Sequence, residues 1–290
     1  MSEWSPMPGV VALVPAYNAA NFIAETLRSL AGQTYGNLRV IVSVDRSEDD
    51  TAAHCTAFAR HDPRFTVIVQ PERLGWVGNT NALLRLAADK YAFFMGHDDV
   101  VEPDYVARLA AALLKNPRAV LTFSDMDVVA PDHPSPNVCR YTALDGVADP
   151  VGRGRRLIVR DHAWWNAYRG LFRLDAARRV GGLRRHLAGE FVADWPFVLG
   201  LALQGECVRV PEVLYRKRSL PGSLSHTWAD NGWAWIGTYL SCGRTVAHAE
   251  LPFMQRLALL VALVSRGCRA FGRRLWCRVV REMARSVAPA

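Results

Sequence analysis

The hydrophobic pattern of the first half of the chain changes period at regular intervals. Residues 10–14 form an unbroken apolar run of strand type, ended by Pro15-Ala16-Tyr17-Asn18. Residues 19–31 then place Phe22, Ile23, Leu27 and Leu30 near helical spacing. A β-branched run at 38–44 is closed by Asp45-Arg46-Ser47-Glu48-Asp49-Asp50, and a helix is expected over 51–60. The same succession continues with strands at 65–69, 91–95 and 119–123 and helices at 78–88 and 105–114. Strands alternating with helices of about ten residues predict right-handed βαβ units, and so an α/β fold with a mostly parallel central sheet flanked by helices.

The pattern stops between residues 131 and 156. Pro131, Pro134, Pro136 and Pro150, with Gly146, Gly152 and Gly154, predict a long loop there. Order returns with a helix over 193–203, a short strand at 207–210 and a basic, aromatic segment beyond it. No internal repeat is visible.

Composition narrows the class. Half of the 290 residues are hydrophobic and about a fifth are charged, as in a soluble globular protein. No run of about 18 apolar residues is present, so no membrane-spanning helix is expected. The first nine residues lack a basic region followed by an apolar one, so no signal peptide is expected. The six cysteines are scattered without a Cys-x-x-Cys pair, which reads as reduced thiols in a cytoplasmic protein. The formal charge is +8, and residues 251–290 carry eight Arg against a single Glu. The chain before them is almost neutral, so the excess belongs to a tail with its own partner.

The chemistry concentrates where the 91–95 strand ends, in Gly96-His97-Asp98-Asp99. Ligands bind at the carboxyl ends of strands in open α/β sheets. Adjacent carboxylates there call for a cation, and Mg²⁺ is typically held by one or two carboxylates plus substrate phosphates. The competing reading has Asp98 and Asp99 capping the next helix or lying solvated in a turn.

Five segments in order then carry a resemblance. Val14-Pro15-Ala16-Tyr17-Asn18 resembles a P-x-Y-N strand end, and residues 44–51 resemble V-D-D-G-S-x-D-x-T, with Val44 in place of the first Asp and Arg46 in place of Gly. Arg73-Leu74-Gly75 followed by Asn81 resembles N-x-G…N, and Gly96-His97-Asp98-Asp99 resembles D-x-D-D with Gly96 at the first Asp. Asp194-Trp195, preceded by Gly189-Glu190, resembles an acceptor-side E-D/D-W element. Together, from Val10 to about Ser225, they resemble the family 2 glycosyltransferases of the GT-A fold.

The resemblance implies an inverting, metal-dependent transfer of a sugar from a nucleotide-sugar donor to an acceptor hydroxyl, in cell-surface polysaccharide or glycolipid assembly. By it, Asp45 accepts from the nucleotide base while Pro15, Ala16 and Tyr17 line the base and ribose site. Asp99 holds Mg²⁺ or Mn²⁺, and Asp98 orients the ribose or a sugar hydroxyl or shares the metal through water. Asp194 is the general base, with Glu190 second in line. Trp195, with Trp164 and Trp165, is placed to stack on a sugar face or to fill the core. Arg216 and His226 lie in a segment resembling Y-R-x-H…S-x-S and are candidates to reach the diphosphate or metal. Asp125 and Asp127 are read as turn residues after the fifth strand.

The implied division is a GT-A domain over 1–250 with a donor-binding half at about 9–130, an acceptor-side half at about 157–228, and a helical tail over 251–290. A sugar-nucleotide pyrophosphorylase is the alternative enzyme, but it calls for a Gly-rich loop with Arg and Lys where Pro15-Ala16-Tyr17-Asn18 stands. A non-catalytic nucleotide-sugar binding module is the alternative outside enzymes, and Asp45, Asp99 and Asp194 weigh against it. The acceptor is expected to be a carbohydrate or a lipid-linked sugar, and no nucleic acid is expected.

The tail has an apolar face at Phe253, Leu257, Leu260, Val261, Val264, Cys268, Phe271, Leu275 and Val279, in steps of mostly three and four. Six arginines, from Arg266 to Arg285, recur in steps of three to five as a basic stripe. It reads either as a helix packed on the domain with a solvated basic face, or as a helix on an anionic membrane surface. The second reading places the protein peripherally at the inner face of the membrane.

Overall fold

The computed structural model describes residues 7–130, 137–159, 164–220, 222–228 and 231–287, without the side chains of residues 225, 270, 271 and 273–287. Its first half runs β1 (Val10–Ala16), α1 (Ile23–Ala31), β2 (Leu38–Val44), α2 (Thr51–Ala59), β3 (Phe65–Val69), α3 (Gly75–Leu86), β4 (Tyr91–Phe94), β5 (Val100–Val101) and α4 (Tyr105–Lys115). Then come β6 (Ala119–Val129), β7 (Val138–Cys139), α5 (Pro150–Val159), α6 (Trp164–Tyr168), β8 (Leu171–Arg173), α7 (Leu174–Val180) and α8 (Asp194–Gln204). The chain continues through β9 (Glu206–Arg218), α9 (Leu224–Thr227), α10 (Gly232–Ala247) and α11 (Phe253–Val287).

One sheet joins the strands in the order β3-β2-β1-β4-β8-β6-β9-β5, with β7 on the side of β6. The predicted parallel part is β3-β2-β1-β4, whose strands are nearly all apolar because helices cover both faces. Beyond it the sheet is mixed. β8 pairs antiparallel with both β4 and β6, while β6 and β9 run parallel. The apolar core is divided between the two faces. One part gathers α1, α4 and the inward side of β1, β2 and β4; the other gathers α3, α5, α6, α7, α8 and the start of α11.

Three strands run past their predicted ends: β1 by the two residues Pro15 and Ala16, which still pair with β2, and β9 and β6 by longer extensions that matter for the site. β9 continues through Pro211 because Pro211 and Glu212 are bulged out: the register jumps from Ser124 opposite Val210 to Asp125 opposite Val213. A bulge is one of the few places a strand accommodates proline. β6 likewise continues from Phe123 to Val129, so Asp125 and Asp127 are strand residues and not a turn.

The expected loop over 131–156 also needs correction, although residues 131–136 lie outside the described residues. Pro150 opens α5, and the Asp149 carboxylate accepts from Gly152 N–H at 2.6 Å, capping it. Proline suits a first helical turn, where its missing N–H has no partner to lose. Signals that read as loop-forming are here the start of a helix.

The boundary at residue 251 marks a change of charge more than of packing. Leu259 and Leu263 of α11 are buried in the same core as α5 and α8. Arg266, also buried, donates to the Ile158 carbonyl and lies over the Trp195 ring.

Candidate active site

The rim of the site is made where β1 and β2 end. Asn18 and Arg46 both adopt positive φ, 45° and 46°, to turn the chain there. Arg46, standing where the family pattern has Gly, therefore holds a left-handed conformation that costs a residue with a Cβ. The two turns are stitched together. Asn18 Oδ1 accepts from Glu48 N–H, Thr51 Oγ1 from Ala19 N–H and Asp49 from Ala20 N–H. Ala16 is buried, while Pro15 and Tyr17 are half-buried at the crevice.

Asp45 is buried at the end of β2, with its carboxylate engaged twice. Oδ1 accepts from Leu74 N–H at 2.6 Å, and Oδ2 pairs with the Arg73 guanidinium. That guanidinium lies 3.2 Å over the centroid of the Tyr17 ring. A flat ring face and a buried acceptor thus converge on one planar group. A nucleotide base using Asp45 and Tyr17 must share them with Arg73 or displace it.

Asp98 and Asp99 follow β4, and the structure separates their roles. Asp99 is only 1% exposed. Its Oδ2 accepts from Tyr215 Oη at 2.7 Å and Arg169 Nε at 3.2 Å, and its Oδ1 from Arg218 N–H at 3.0 Å. A side chain at Gly96 would overlap this carboxylate, so the space of the family's first Asp is taken by Asp99 itself. The expectation that Asp99 stands open at the sheet edge as a metal ligand does not match this geometry, because three donors already occupy its oxygens. Asp98 is the open one. It is half-buried, nothing among the described residues hydrogen-bonds to its carboxylate, and only its carbonyl is engaged, by Arg218. Burial and the neighbouring Asp99 charge push its proton affinity up, against His97, Arg169 and Lys217. His97 turns away, its Nδ1 lying 3.2 Å from the Pro15 carbonyl.

Asp194 opens α8 two residues after Val192, which holds φ at 51°. A β-branched residue in that region is strained, and such strain gathers at functional sites. Burial raises the Asp194 proton affinity from its ordinary value, against a hydrogen bond from Trp164 and the Arg169 charge. Arg169 is the common neighbour. Burial works against its charge, but Asp99, Tyr215 and Asp194 outweigh that and hold it firmly protonated. Lys217, on the extended part of β9, feels burial and Arg169 lowering its affinity, with Asp99 and Asp98 opposing.

The remaining candidates fall elsewhere. Glu190 accepts from Trp76 N–H at 2.9 Å and Val77 N–H at 3.1 Å and pairs with Arg185, so it caps α3 and is not free to act as a base. Trp195 is 0% exposed, stacks on Trp164 at 5.0 Å and donates to the Leu157 carbonyl, which makes it core and not a sugar platform. Arg216 points to the surface, 3.7 Å from Glu102, because alternate residues of β9 face opposite ways. His226 is exposed on α9, near Ser219. Asp125 is buried and doubly paired with Arg209, at 2.6 and 2.7 Å.

Sequence reasoning missed Arg169 and Tyr215. The signal for the first is a lone cation inside the aromatic run Trp164-Trp165-Asn166-Ala167-Tyr168-Arg169-Gly170-Leu171-Phe172. A charge in such a run needs a buried partner. Nothing local marks Tyr215.

Among the described residues no group of three or more His, Cys, Asp or Glu side chains is placed to hold a metal ion. The open Asp98 carboxylate fits a site of another type, in which one carboxylate and the substrate's phosphates share the cation.

Comparison with known proteins agrees with the fold. Residues 11–135 match the family described as Glycosyl transferase family 2. An uncharacterized glycosyltransferase of Haemophilus influenzae is 32% identical over 122 residues, covering 42% of this chain and 38% of that protein. A putative teichuronic acid biosynthesis glycosyltransferase, TuaG of Bacillus subtilis, is 26% identical over 46% of this chain and 51% of its own. The chain thus spans about two fifths to half the length of these relatives. Among solved structures, S. aureus TarS 1-349 in complex with UDP-GlcNAc superposes with a TM-score of 0.70 at 17% identity, covering 89% of this chain and 72% of that one. Residues 11–135 therefore match glycosyl transferase family 2, and the chain as a whole shares the GT-A fold of solved transferases such as TarS.

Proposed function

We propose that this protein is an inverting glycosyltransferase that moves a sugar from a nucleotide-sugar donor to a hydroxyl of a carbohydrate or lipid-linked acceptor. The observation that carries the reading is the grouping of Asp98, at the end of β4, and Asp194, at the start of α8, around the charge of Arg169. In this reading a donor-side carboxylate and an acceptor-side carboxylate, from elements far apart in sequence, serve one site.

In this reading Tyr17 stacks the base, Asp45 accepts from it, and Pro15 and Ala16 shape the crevice. Asp98 holds Mg²⁺ or Mn²⁺ together with the diphosphate. Such a cation supplies Lewis-acid stabilisation of the charge that grows on the leaving group. Lys217 and Arg218 lie beside Asp98 and add positive charge there. Asp99 is a positioning residue that fixes Arg169 and Tyr215. Asp194 takes the proton from the attacking hydroxyl, and its raised proton affinity suits a base working near neutral pH. Attack opposite the diphosphate inverts the anomeric centre without a covalent intermediate.

The names of the relatives support a place in cell-surface polysaccharide or glycolipid assembly, and the basic tail over 251–290 supports a peripheral position at the cytoplasmic face of a membrane. No helix among the described residues is long and apolar enough to cross one.

The test is a panel of UDP-, GDP- and dTDP-sugars incubated with the protein, with and without Mn²⁺, scored for released nucleoside diphosphate and for donor binding. UDP-GlcNAc comes first, as the donor bound by TarS. Metal-stimulated release from one donor, lost in Asp98→Asn, is the expected result. With pyrophosphate added, formation of nucleoside triphosphate and sugar 1-phosphate would point to the pyrophosphorylase alternative, and binding without turnover on any acceptor to a binding module.

A further inference from the structure

Eight of the sixteen exposed large hydrophobic side chains among the described residues lie on α10 and α11. The two helices form an antiparallel pair, with Gly243 beside Leu260 and Gly267 beside Tyr239. Ala234, Thr238, Ser241 and Thr245 of α10, and Leu259, Leu263 and Arg266 of α11, are buried against the domain. On the side of the pair away from them stand Trp233, Ile236 and Leu240, spaced three and four apart on α10. On α11 Leu257, Val261 and Val264 are exposed at a similar spacing, and the contacts of Gly243 with Leu260 and of Gly267 with Tyr239 bring Val264 about level with Leu240. Trp233 is 75% and Val264 66% exposed.

This placement alters the reading of the tail. Its apolar positions do not all serve the packing on the domain. α11 has a second apolar stripe, nearly opposite the buried one, and α10 widens it into a two-helix surface. Exposed large apolar side chains gathered along one side of a helix pair mark an interaction site.

We propose that the outer face of the α10–α11 pair is a docking surface for an anionic phospholipid bilayer, with both helices lying at headgroup level. Charge selects this partner. Between residues 232 and 287 the sequence carries nine arginines, of which only Arg266 among the described side chains is buried against the domain, and two acidic residues, Glu250 and Glu282. Two copies of the chain meeting through this face in an isologous contact would set like charge against like charge. A bilayer with anionic headgroups accepts the apolar stripe and attracts the arginines at once. Trp233, amphipathic and exposed at the start of α10, is of the type that anchors at a membrane interface. The inference deepens the proposal that residues 251–290 meet a membrane. It adds α10, so the docking element begins before the basic tail does.

Removing the tail is an unsuitable test, since it would uncover the core around Leu259 and Leu263. The full chain is instead sedimented with vesicles of phosphatidylcholine, alone and mixed with phosphatidylglycerol, at low and high salt. Two double variants are compared, Trp233→Ser with Leu240→Ser, and Val261→Ser with Val264→Ser. All four side chains are exposed, so the thermal midpoint stays unchanged. The wild type is expected on the anionic vesicles only, less so at high salt, and each double variant loses about tenfold or more in partitioning. Absence of binding to anionic vesicles overturns the docking surface. Loss confined to the α11 variant overturns the two-helix surface while leaving the tail reading intact. A dimer in lipid-free sedimentation that both double variants dissociate replaces the bilayer with a second copy of the chain.

Discussion

Arg169 Nε lies 3.2 Å from Asp99 Oδ2, and this buried pair ties the residue after α6 to the end of β4. Tyr215 of β9 donates to the same oxygen, so three elements meet at one carboxylate. The consequence is a division of labour between adjacent aspartates. Asp99 organises the floor of the site, and Asp98 is left open to a ligand.

That division predicts opposite behaviour for two similar substitutions. Asp99→Asn leaves Arg169 largely buried without a counter-charge. Breaking such a pair costs about 3–5 kcal/mol, and the partial solvent access of Arg169 places the loss at the lower end. Asp98→Asn is expected to keep the thermal midpoint and lose metal-stimulated donor turnover. Thermal melts and turnover measured on both variants check this. A stable, inactive Asp99→Asn beside an active Asp98→Asn would return the metal to Asp99.

Asp194→Asn keeps the shape of the side chain and removes proton acceptance. Transfer is expected to fall by about 10²–10⁴, the usual worth of a general base. Donor affinity, measured by calorimetry in the absence of acceptor, stays near wild type. A parallel loss of donor affinity moves Asp194 out of the acceptor side.

The acid limb of kcat/KM reports the free enzyme's base. Burial raises the Asp194 proton affinity, so the limb is expected at higher pH than an exposed aspartate would give. The Arg169 charge holds that affinity down, so Arg169→Met shifts the limb to higher pH while Arg169→Lys leaves it nearly in place. The sign for stability is the reverse of the usual carboxylate case. A raised folded-state affinity adds stability below the unfolded value, and this is lost as pH rises through the folded one. A pH series of the two variants against wild type provides the measurement.

Glu190 caps α3 from a distant loop, reaching the N–H groups of Trp76 and Val77. Glu190→Ala is expected to cost about 0.5–2 kcal/mol, as loss of a cap does, with turnover little changed at a temperature where the variant is folded. A loss of turnover as large as that of Asp194→Asn would restore Glu190 as the base.

The sequence by itself determined the parallel half of the fold. Period and composition are local properties, and β1 to β4 with their helices are built from local βαβ units. It also placed Asp45, Asp98 and Asp194 at the ends of elements. The tertiary structure decided which carboxylates are open. Asp98 and Asp99 are indistinguishable as neighbours in a chain, and only Arg169, Tyr215 and the Arg218 N–H, lying 70, 116 and 119 positions away, separate them. Glu190 and Trp195 sit beside Asp194 in sequence, yet one is consumed by a helix end and the other by the core, because those partners come from α3 and α6. β8 is three residues long and leaves no periodic trace, and β9, legible only over 207–210, crosses Pro211 by a bulge that breaks its period. In the tail the apolar stripe was legible from spacing alone, but long-range packing chose Leu259 and Leu263 for the core. Val261 and Val264, equally apolar, were left facing outward because α5 and α10 cover only one side of the helix.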